Sequence, residues 1–312
     1  MNRLLSAALA KNTHKTYARG WEMFCRFQPC HQNVTHCPAN ASDVRRFIGW
    51  LSVQNFAPAT INTYVSAVGY YHKINGCSDP THDFLVAKLL EGCRRSHPSR
   101  DCRQPISLLI LKEICGSLPI VCSSQFEACM FKAVFLSAFF GLLRVGEFAA
   151  DSKHKIQESV LSVSDVHFGH TDVNDPYVEV SLKHSKNNQA GPPQVIYLKH
   201  SNIPGLCPVT ALKEFLQIRP TVSGPLFSHF DGSPLTRYQF NAVLRKALTF
   251  TTVSHENIRG HSFRIGAAST AALGGIPEEQ IRSMGRWRSQ AFLTYIRPVQ
   301  KCAFHVSTAH IN

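Results

Sequence analysis

The sequence contains no uninterrupted apolar run of the ~18 to 20 residues that a membrane-spanning helix needs. Its longest apolar segment lies between Ala133 and Leu143, a length typical of a buried helix. Residues 1–15 also carry no apolar block followed by small residues, which is the pattern of a secretory signal. We therefore predict neither membrane insertion nor secretion.

Acidic side chains are scarce: 20 Asp and Glu stand against 33 Lys and Arg, for a formal net charge of +13. Both halves of the chain are basic, and no acidic tail offsets them. A positive field of this kind favours polyanions, and nucleic acid is the commonest such partner. On charge alone, the alternative of a basic protein without a polyanionic partner remains.

Internal repeats are missing too, and the 11 cysteines are an odd number spread along the chain. Without a secretory signal they are expected to be reduced thiols in the cytosol or nucleus. One cluster has the ligand chemistry of zinc, but structural zinc sites usually combine two short pairs separated by a longer loop. We favour ordinary buried or loop residues there and predict no metal; the cluster comprises Cys25, Cys30, His31, His36 and Cys37.

The apolar spacing of residues 1–95 predicts a small helical bundle. Its helices are expected at 13–28, with Thr13 as the cap, at 42–55, with Ser42 as the cap, from Pro58 to about Tyr71, and at 84–93. Residues 96–105 hold two prolines, two arginines and little apolar content, which is typical of an exposed linker. A domain boundary is predicted there.

The second predicted domain, 106–312, is mainly helical, with one interruption where the period changes. Val-rich segments at 160–168, 177–182 and 194–198 alternate apolar and polar residues and predict strands. Helices are expected at 107–117, 126–141, 208–218, 237–249, 261–273, 277–284 and 290–296. The fold class is therefore α+β, mainly helical with a small antiparallel sheet.

Basic residues at predicted helix ends are candidates for anion binding. Arg144 follows an apolar helix, and Glu147 lies three residues on, where its carboxylate could hold the guanidinium rigid. His261 and Arg264 share one face at a helix start, where the helix dipole favours anions, and Gly260 would allow a ligand close approach. Taken singly, these residues are more simply explained by a structural ion pair at Arg144 and by a capping histidine with a surface arginine at His261 and Arg264.

Trp287 and Tyr295 complete the candidate set, although a lone tyrosine near a C-terminus is usually a core residue. The order is specific: arginine between Gly-Leu-Leu and Val-Gly-Glu, a lysine in a hairpin, His-Ser-Phe-Arg, Gly-Arg-Trp and Tyr-Ile-Arg. This order resembles the tyrosine recombinase and phage integrase family, and the quoted motifs are especially similar to recombinases of eukaryotic mobile elements.

The resemblance implies a core-binding domain at 1–95, a catalytic domain at 106–312, and a clamp around double-stranded DNA. By the same resemblance Arg144 and Arg264 are the two catalytic arginines, Glu147 supports Arg144, and His261 accompanies Arg264. Trp287 takes the position that is His or Trp in the family, and Tyr295 is the nucleophile. The hairpin lysine is assigned to Lys186, with Lys183 as its competitor.

The implied chemistry needs neither cofactor nor ATP. A phenol titrates near pH ~10, so Tyr295 attacks phosphorus only where cations favour the phenolate. Two guanidiniums can clamp the phosphate oxygens, and Lys186 can protonate the departing 5′ oxygen. The product is a 3′-phosphotyrosine, from which the strand can be rejoined.

The interval from Trp287 to Tyr295 is eight residues, one shorter than in familiar bacterial members of the family. Only 17 residues follow Tyr295, so we expect a short exchange helix or none, with self-association on DNA as a dimer to tetramer. A nuclear location is inferred from the DNA substrate. Two alternatives stay open: a domesticated, catalytically silent DNA-binding protein and a type IB topoisomerase.

Overall fold

The computed structural model describes residues 8–28, 38–98, 101–171, 175–183, 191–252 and 256–298. The chain separates into two compact units, Met1–Asp101 and Cys102–Asn312. The dividing point falls within the predicted linker 96–105, while the predicted domain bounds 1–95 and 106–312 stay a prediction. Among the residues described, no helix is long and apolar enough to cross a membrane.

The first unit consists of helices whose ends follow from local chemistry. The Asn40 side chain accepts the Asp43 backbone N–H, and the Asp43 carboxylate accepts the Asn40 backbone N–H. The two hydrogen bonds form a capping box. Asp83 caps the last helix by accepting the backbone N–H groups of Leu85 and Val86. The predicted caps Thr13 and Ser42 are wrong, because both residues lie inside helices. The helices are α1 Lys11–Phe27, α2 Ala41–Val53, α3 Pro58–Ile74 and α4 Phe84–Ser96, with a 3-10 turn at Pro80–His82.

Aromatic and branched side chains fill the core of this unit. Phe24 and Phe47 are fully buried and meet edge to face, with ring centroids 5.1 Å apart. Trp21 stacks on Tyr71 at 4.9 Å. The remaining core comes from the inward faces of α2, α3 and α4: Val44, Ile48, Leu51, Ile61, Tyr64, Val65, Val68 and Val86.

The second unit is built around one helix that is buried along most of its length. Every residue from 133 to 139 is buried, which explains why this stretch of the sequence is apolar without a polar face. The helices are α5 Leu108–Val121, α6 Gln125–Phe140, α7 Val145–Phe148, α8 Pro208–Ile218, α9 Arg237–Leu248, α10 Ser262–Leu273 and α11 Glu278–Met284; α6 is the buried one.

A three-stranded antiparallel sheet interrupts these helices, as predicted. Its strands are β1 Val166–His170, β2 Pro176–Leu182 and β3 Gln194–Lys199, in the order β1-β2-β3. Val178 lies opposite Leu198, and the two side chains, with Val180 and Leu182, form the buried face. The predicted fold class, mainly helical with a small antiparallel sheet, is confirmed.

Two predicted elements differ from the structure. The strand expected at 160–168 begins only at Val166, because Asp165 accepts the Ser162 backbone N–H at 2.9 Å and closes a 3-10 turn at Val163–Asp165. The helix expected at 290–296 is a 3-10 helix, Gln290–Tyr295. At the second position too a short polar side chain bonds to the backbone, because Ser289 Oγ accepts the Ala291 backbone N–H at 3.3 Å.

Candidate active site

Four segments of the second unit bring the predicted site residues together. After α6 the chain turns through Leu142, whose φ of 46° is left-handed, and reaches Arg144 at the start of α7. His261 and Arg264 lie at the start of α10. Trp287 follows α11, and Tyr295 ends the 3-10 helix.

The expected pair of Arg144 and Glu147 is present. Arg144 Nη1 donates to Glu147 Oε1 at 3.0 Å, and the Arg144 backbone N–H donates to Oε2 at 2.8 Å. The carboxylate is nearly buried, with 3% of its side chain exposed, whereas Arg144 keeps 18%. A buried carboxylate therefore fixes a guanidinium that solvent can still reach.

Arg264 is fully buried, at 0% exposure. Its guanidinium donates to the Leu142 carbonyl through Nη1 and to the Gly285 carbonyl through Nη2, the latter at 2.7 Å. The guanidinium carbon lies 4.6 Å from the Trp287 ring centroid and 6.0 Å from that of Tyr295. Burial, with repulsion from nearby arginines, lowers the pKa of Arg264 to about 9, so it stays charged at neutral pH.

The predicted nucleophile is hydrogen-bonded to the predicted histidine. Tyr295 Oη and His261 Nε2 are 2.8 Å apart, and the Trp287 ring centroid is 4.9 Å from that of Tyr295. Ser269 Oγ donates to the Tyr295 carbonyl at 3.0 Å and fixes the backbone. The short interval from Trp287 to Tyr295 is thus spanned by a 3-10 helix that keeps the phenol beside His261.

The expectation for Gly260 needs correction. A Cβ at this position would lie 2.5 Å from Val145 Cγ2 and 3.1 Å from Phe240 Cε1. The missing side chain therefore makes room for packing against the start of α7, and not for a ligand backbone. Gly260 helps to bring His261 close to the segment that carries Arg144.

Of the two candidates for the hairpin lysine, the structure describes only Lys183. Lys186 lies outside the described residues. Its competitor Lys183 pairs through Nζ with the buried carboxylate of Asp165 at 2.6 Å. That contact gives Lys183 a structural partner at the end of β2, and the assignment of Lys186 stays a prediction.

Sequence reasoning missed one member of the cluster. Arg286 Nη2 donates to Glu147 Oε2 at 3.1 Å and to the Leu142 carbonyl at 3.0 Å, and its side chain is 5% exposed. The signal was present in Gly285-Arg286-Trp287, where an arginine follows a helix end and precedes a site residue. Nothing in the local pattern distinguishes it from exposed Arg288.

The structure describes only one of the five residues of the cysteine and histidine cluster. Cys30, His31, His36 and Cys37 lie outside the described residues, and Cys25 lies on α1. Within the ranges that the structure covers, no group of three or more His, Cys, Asp or Glu side chains could hold a metal ion.

Comparison with known proteins points to one group. An integrase/recombinase xerD homolog from Selenomonas ruminantium is 23% identical over 304 residues, which is 92% of this chain and 82% of that protein. A λ integrase dimer bound to a COC′ core site superposes with a TM-score of 0.64 at 14% identity, covering 96% of this chain and 77% of the integrase. No family profile matches the sequence.

Further solved structures share the fold. The Tn1549 transposon integrase in complex with transposon right end DNA has a TM-score of 0.60 at 12% identity and covers 93% of this chain and 91% of the integrase. XerH recombinase bound to its difH substrate has a TM-score of 0.59 at 14% identity, with coverages of 92% and 76%. The chain therefore has the fold of integrases and site-specific recombinases, and its sequence is similar to one of them.

Proposed function

We propose that this protein is a tyrosine recombinase that breaks and rejoins DNA through a 3′-phosphotyrosine intermediate. The observation that carries the proposal is the 2.8 Å contact between Tyr295 Oη and His261 Nε2 beside buried Arg264. A phenol held between a proton acceptor and fixed positive charge is suited to nucleophilic attack. The motifs that first indicated the family favour an enzyme of a eukaryotic mobile element, and the DNA substrate favours a nuclear location.

In the proposed cleavage step, Tyr295 Oη passes its proton to His261 Nε2 and bonds to phosphorus. This role requires a neutral His261 that carries its proton on Nδ1. The bond between phosphorus and the 5′ oxygen breaks, and that oxygen takes a proton from Lys186. Attack by a 5′ hydroxyl on the phosphotyrosine reverses the step and joins the strand, so the ester bond energy is retained.

The arginines stabilise the charge that develops on the phosphate oxygens. Arg144 retains an exposed surface and is the first guanidinium that a phosphate meets. Arg264 lies under Trp287 and Tyr295, so a phosphate reaches it only when that cover shifts. A phosphate bound by both guanidiniums is stabilised more in the transition state, where its oxygens are more negative, than in the ground state.

The proposed substrate is double-stranded DNA, and the proposed assembly on it is a dimer to tetramer. The solved structures with this fold include a λ integrase dimer on a core site and a λ integrase tetramer on a Holliday junction. The first unit offers a suitable surface for the DNA backbone, a groove of about 490 Å³ between α1 and α3 with Lys15, Arg19, Thr60 and Thr63. Cations and hydroxyls of this kind suit phosphate contacts, which weaken steeply with salt.

The test is covalent capture on nicked duplexes tiled across the DNA that flanks the coding region. A nick beside the cleaved bond lets the short 5′-hydroxyl fragment diffuse away, which traps the protein on the DNA. We expect an adduct with the parent protein, mapped to Tyr295 by mass spectrometry, and none with Tyr295→Phe.

Three other results would contradict the proposal. Duplex binding without any adduct, retained by Arg144→Ala, would identify a silent DNA-binding protein. Relaxation of supercoiled plasmids regardless of sequence would identify a topoisomerase. An adduct that persists in Tyr295→Phe would place the nucleophile elsewhere.

A further inference from the structure

We infer that Arg286 is a positioning residue that joins the two phosphate-binding arginines into one rigid unit. The inference rests on the proposed function and deepens it, because it concerns the same site. It assigns a role to a third arginine that would contact neither the phosphate nor the phenol.

The geometry gives Arg286 one shared acceptor with each of the other two arginines. The Leu142 carbonyl accepts from Arg286 Nη2 at 3.0 Å and also from Arg264 Nη1. The Glu147 carboxylate accepts from Arg286 Nη2 at 3.1 Å and from Arg144 Nη1 at 3.0 Å. A displacement of Arg286 therefore loosens both guanidiniums at once.

Backbone strain is concentrated at the same contacts. Three non-glycine residues of the described ranges have a positive φ, and two of them are Leu142 at 46° and Arg286 at 57°. A left-handed backbone is unfavourable for residues that carry a Cβ. Strain of this kind is kept where the surrounding contacts hold it and is common at functional sites. Here it aims the Leu142 carbonyl and the Arg286 side chain at each other.

The charge of the cluster also exceeds what a structural ion pair requires. Among the described contacts, three guanidiniums, those of Arg144, Arg264 and Arg286, interact with one carboxylate, that of Glu147. Burial lowers the pKa of Arg286, Glu147 opposes this effect, and Arg144 lowers the pKa further. A surplus of buried positive charge is unfavourable until an anion arrives. A phosphate that becomes more negative during attack would relieve it.

The variant Arg286→Gly tests this role with little backbone cost, because glycine readily adopts a positive φ. Arg286→Lys keeps the charge but presents one nitrogen where the guanidinium presents several. Arg288→Gly is the matched control, since it removes an equal charge from an exposed position two residues away. Each full-length variant is compared with the parent protein in single-turnover cleavage of the duplex that captured it.

We expect the cleavage rate constant of Arg286→Gly to fall about 10- to 100-fold, the range typical of supporting groups around a reactive centre. The fraction of protein that reacts and the affinity for DNA should stay within about twofold of the control. Arg286→Lys should recover part of the rate. A lower reacting fraction with an unchanged rate constant would instead reveal a purely structural role and overturn the inference.

A second measurement does not depend on cleavage. Orthovanadate is a tetrahedral oxyanion, and its binding can be followed through the rise that it causes in the thermal unfolding midpoint. We expect Arg286→Gly to bind it about tenfold more weakly than Arg288→Gly does. Equal vanadate affinities would overturn the inference. If the parent protein forms no DNA adduct, the proposed function fails, while the vanadate comparison still decides the role of Arg286.

Discussion

Buried polar side chains have different roles in the two units. In the helical unit His72 is fully buried, with Nδ1 2.7 Å from the Val68 carbonyl and Nε2 accepting the Ala39 backbone N–H at 2.9 Å. Because Nε2 accepts, Nδ1 carries the proton and the ring is neutral. Both nitrogens serve the backbone, and the histidine locks α3 to the segment before α2.

In the second unit Arg264 is buried to the same degree, and its guanidinium donates to two backbone carbonyls. It differs in carrying a positive charge that the residues described around it do not fully neutralise. Arg144 and Arg286 add to that charge, and Glu147 offsets only part of it. Buried polarity that is satisfied and neutral supports a fold, whereas buried charge in excess marks a place where an anion is expected.

The largest effect is expected from Arg264→Lys. A lysine cannot serve both the Leu142 and the Gly285 carbonyl or clamp a phosphate in two places. We predict a fall in the cleavage rate constant of about 100- to 1000-fold, the cost of removing one fixed donor to a developing oxyanion. Single-turnover cleavage measures it. Arg259→Lys, which alters an exposed arginine just before His261, is the control and should cleave normally.

Glu147→Gln is expected to come next. The amide keeps the shape of the carboxylate but removes the negative charge that Arg144 and Arg286 share. We predict a rate constant about 100-fold lower and a free energy of unfolding lower by about 3 kcal/mol, as for a buried ion pair that loses one partner. Denaturant unfolding gives the second quantity. The exposed carboxylate of Glu158 provides the control Glu158→Gln, and a loss of equal size there would refute the argument.

Most residues of this site could be predicted from the sequence, because their order along the chain can be read without the structure. The order of Arg144, His261, Arg264, Trp287 and Tyr295 along the chain could be compared with a family, and the structure brings these five residues together. What the sequence did not reveal is contact across the fold. Arg286 reaches Glu147 over 139 positions of the chain, a separation that no local periodicity reports.

The fold shows the same division. Helix positions followed from apolar spacing, because each helix buries one face. Helix ends depended on which of several neighbouring polar residues forms the capping hydrogen bond. Asn40 and not Ser42 is the cap, because Asn40 forms a reciprocal capping box with Asp43. The burial of Arg264 was unexpected, since an arginine at a helix start ordinarily reaches solvent.

His72→Phe tests the contrast between the units through the helical unit. The ring is replaced by one of similar size that cannot accept the buried Ala39 N–H. An unsatisfied buried donor costs about 1 to 3 kcal/mol of unfolding free energy. We expect that loss in denaturant unfolding, with no change in the cleavage rate constant of the folded protein. A slower rate constant at full folding would mean that the two units do not divide stability and chemistry as we argue.

The smallest effect is expected at Asp79, a half-buried carboxylate of the helical unit. Burial would raise the pKa of its carboxyl, but hydrogen bonds from Lys73 and Thr81 and the charge of Lys73 lower the pKa to about 2. Since the folded pKa lies below the ordinary value, the stabilisation is complete above pH ~4 and is lost as the pH falls towards 2. After screening by solvent it amounts to about 1 kcal/mol.

Asp79→Asn should therefore be less stable than the parent protein at neutral pH, and the difference should disappear as the pH falls through about 2. Denaturant unfolding across this range measures the convergence, and Glu22→Gln, at an exposed ion pair, should show almost none of it. A charge that is neutralised by its own neighbours shapes only stability. If Asp79→Asn also slowed cleavage by folded protein at neutral pH, local neutralisation would no longer separate structural charge from functional charge.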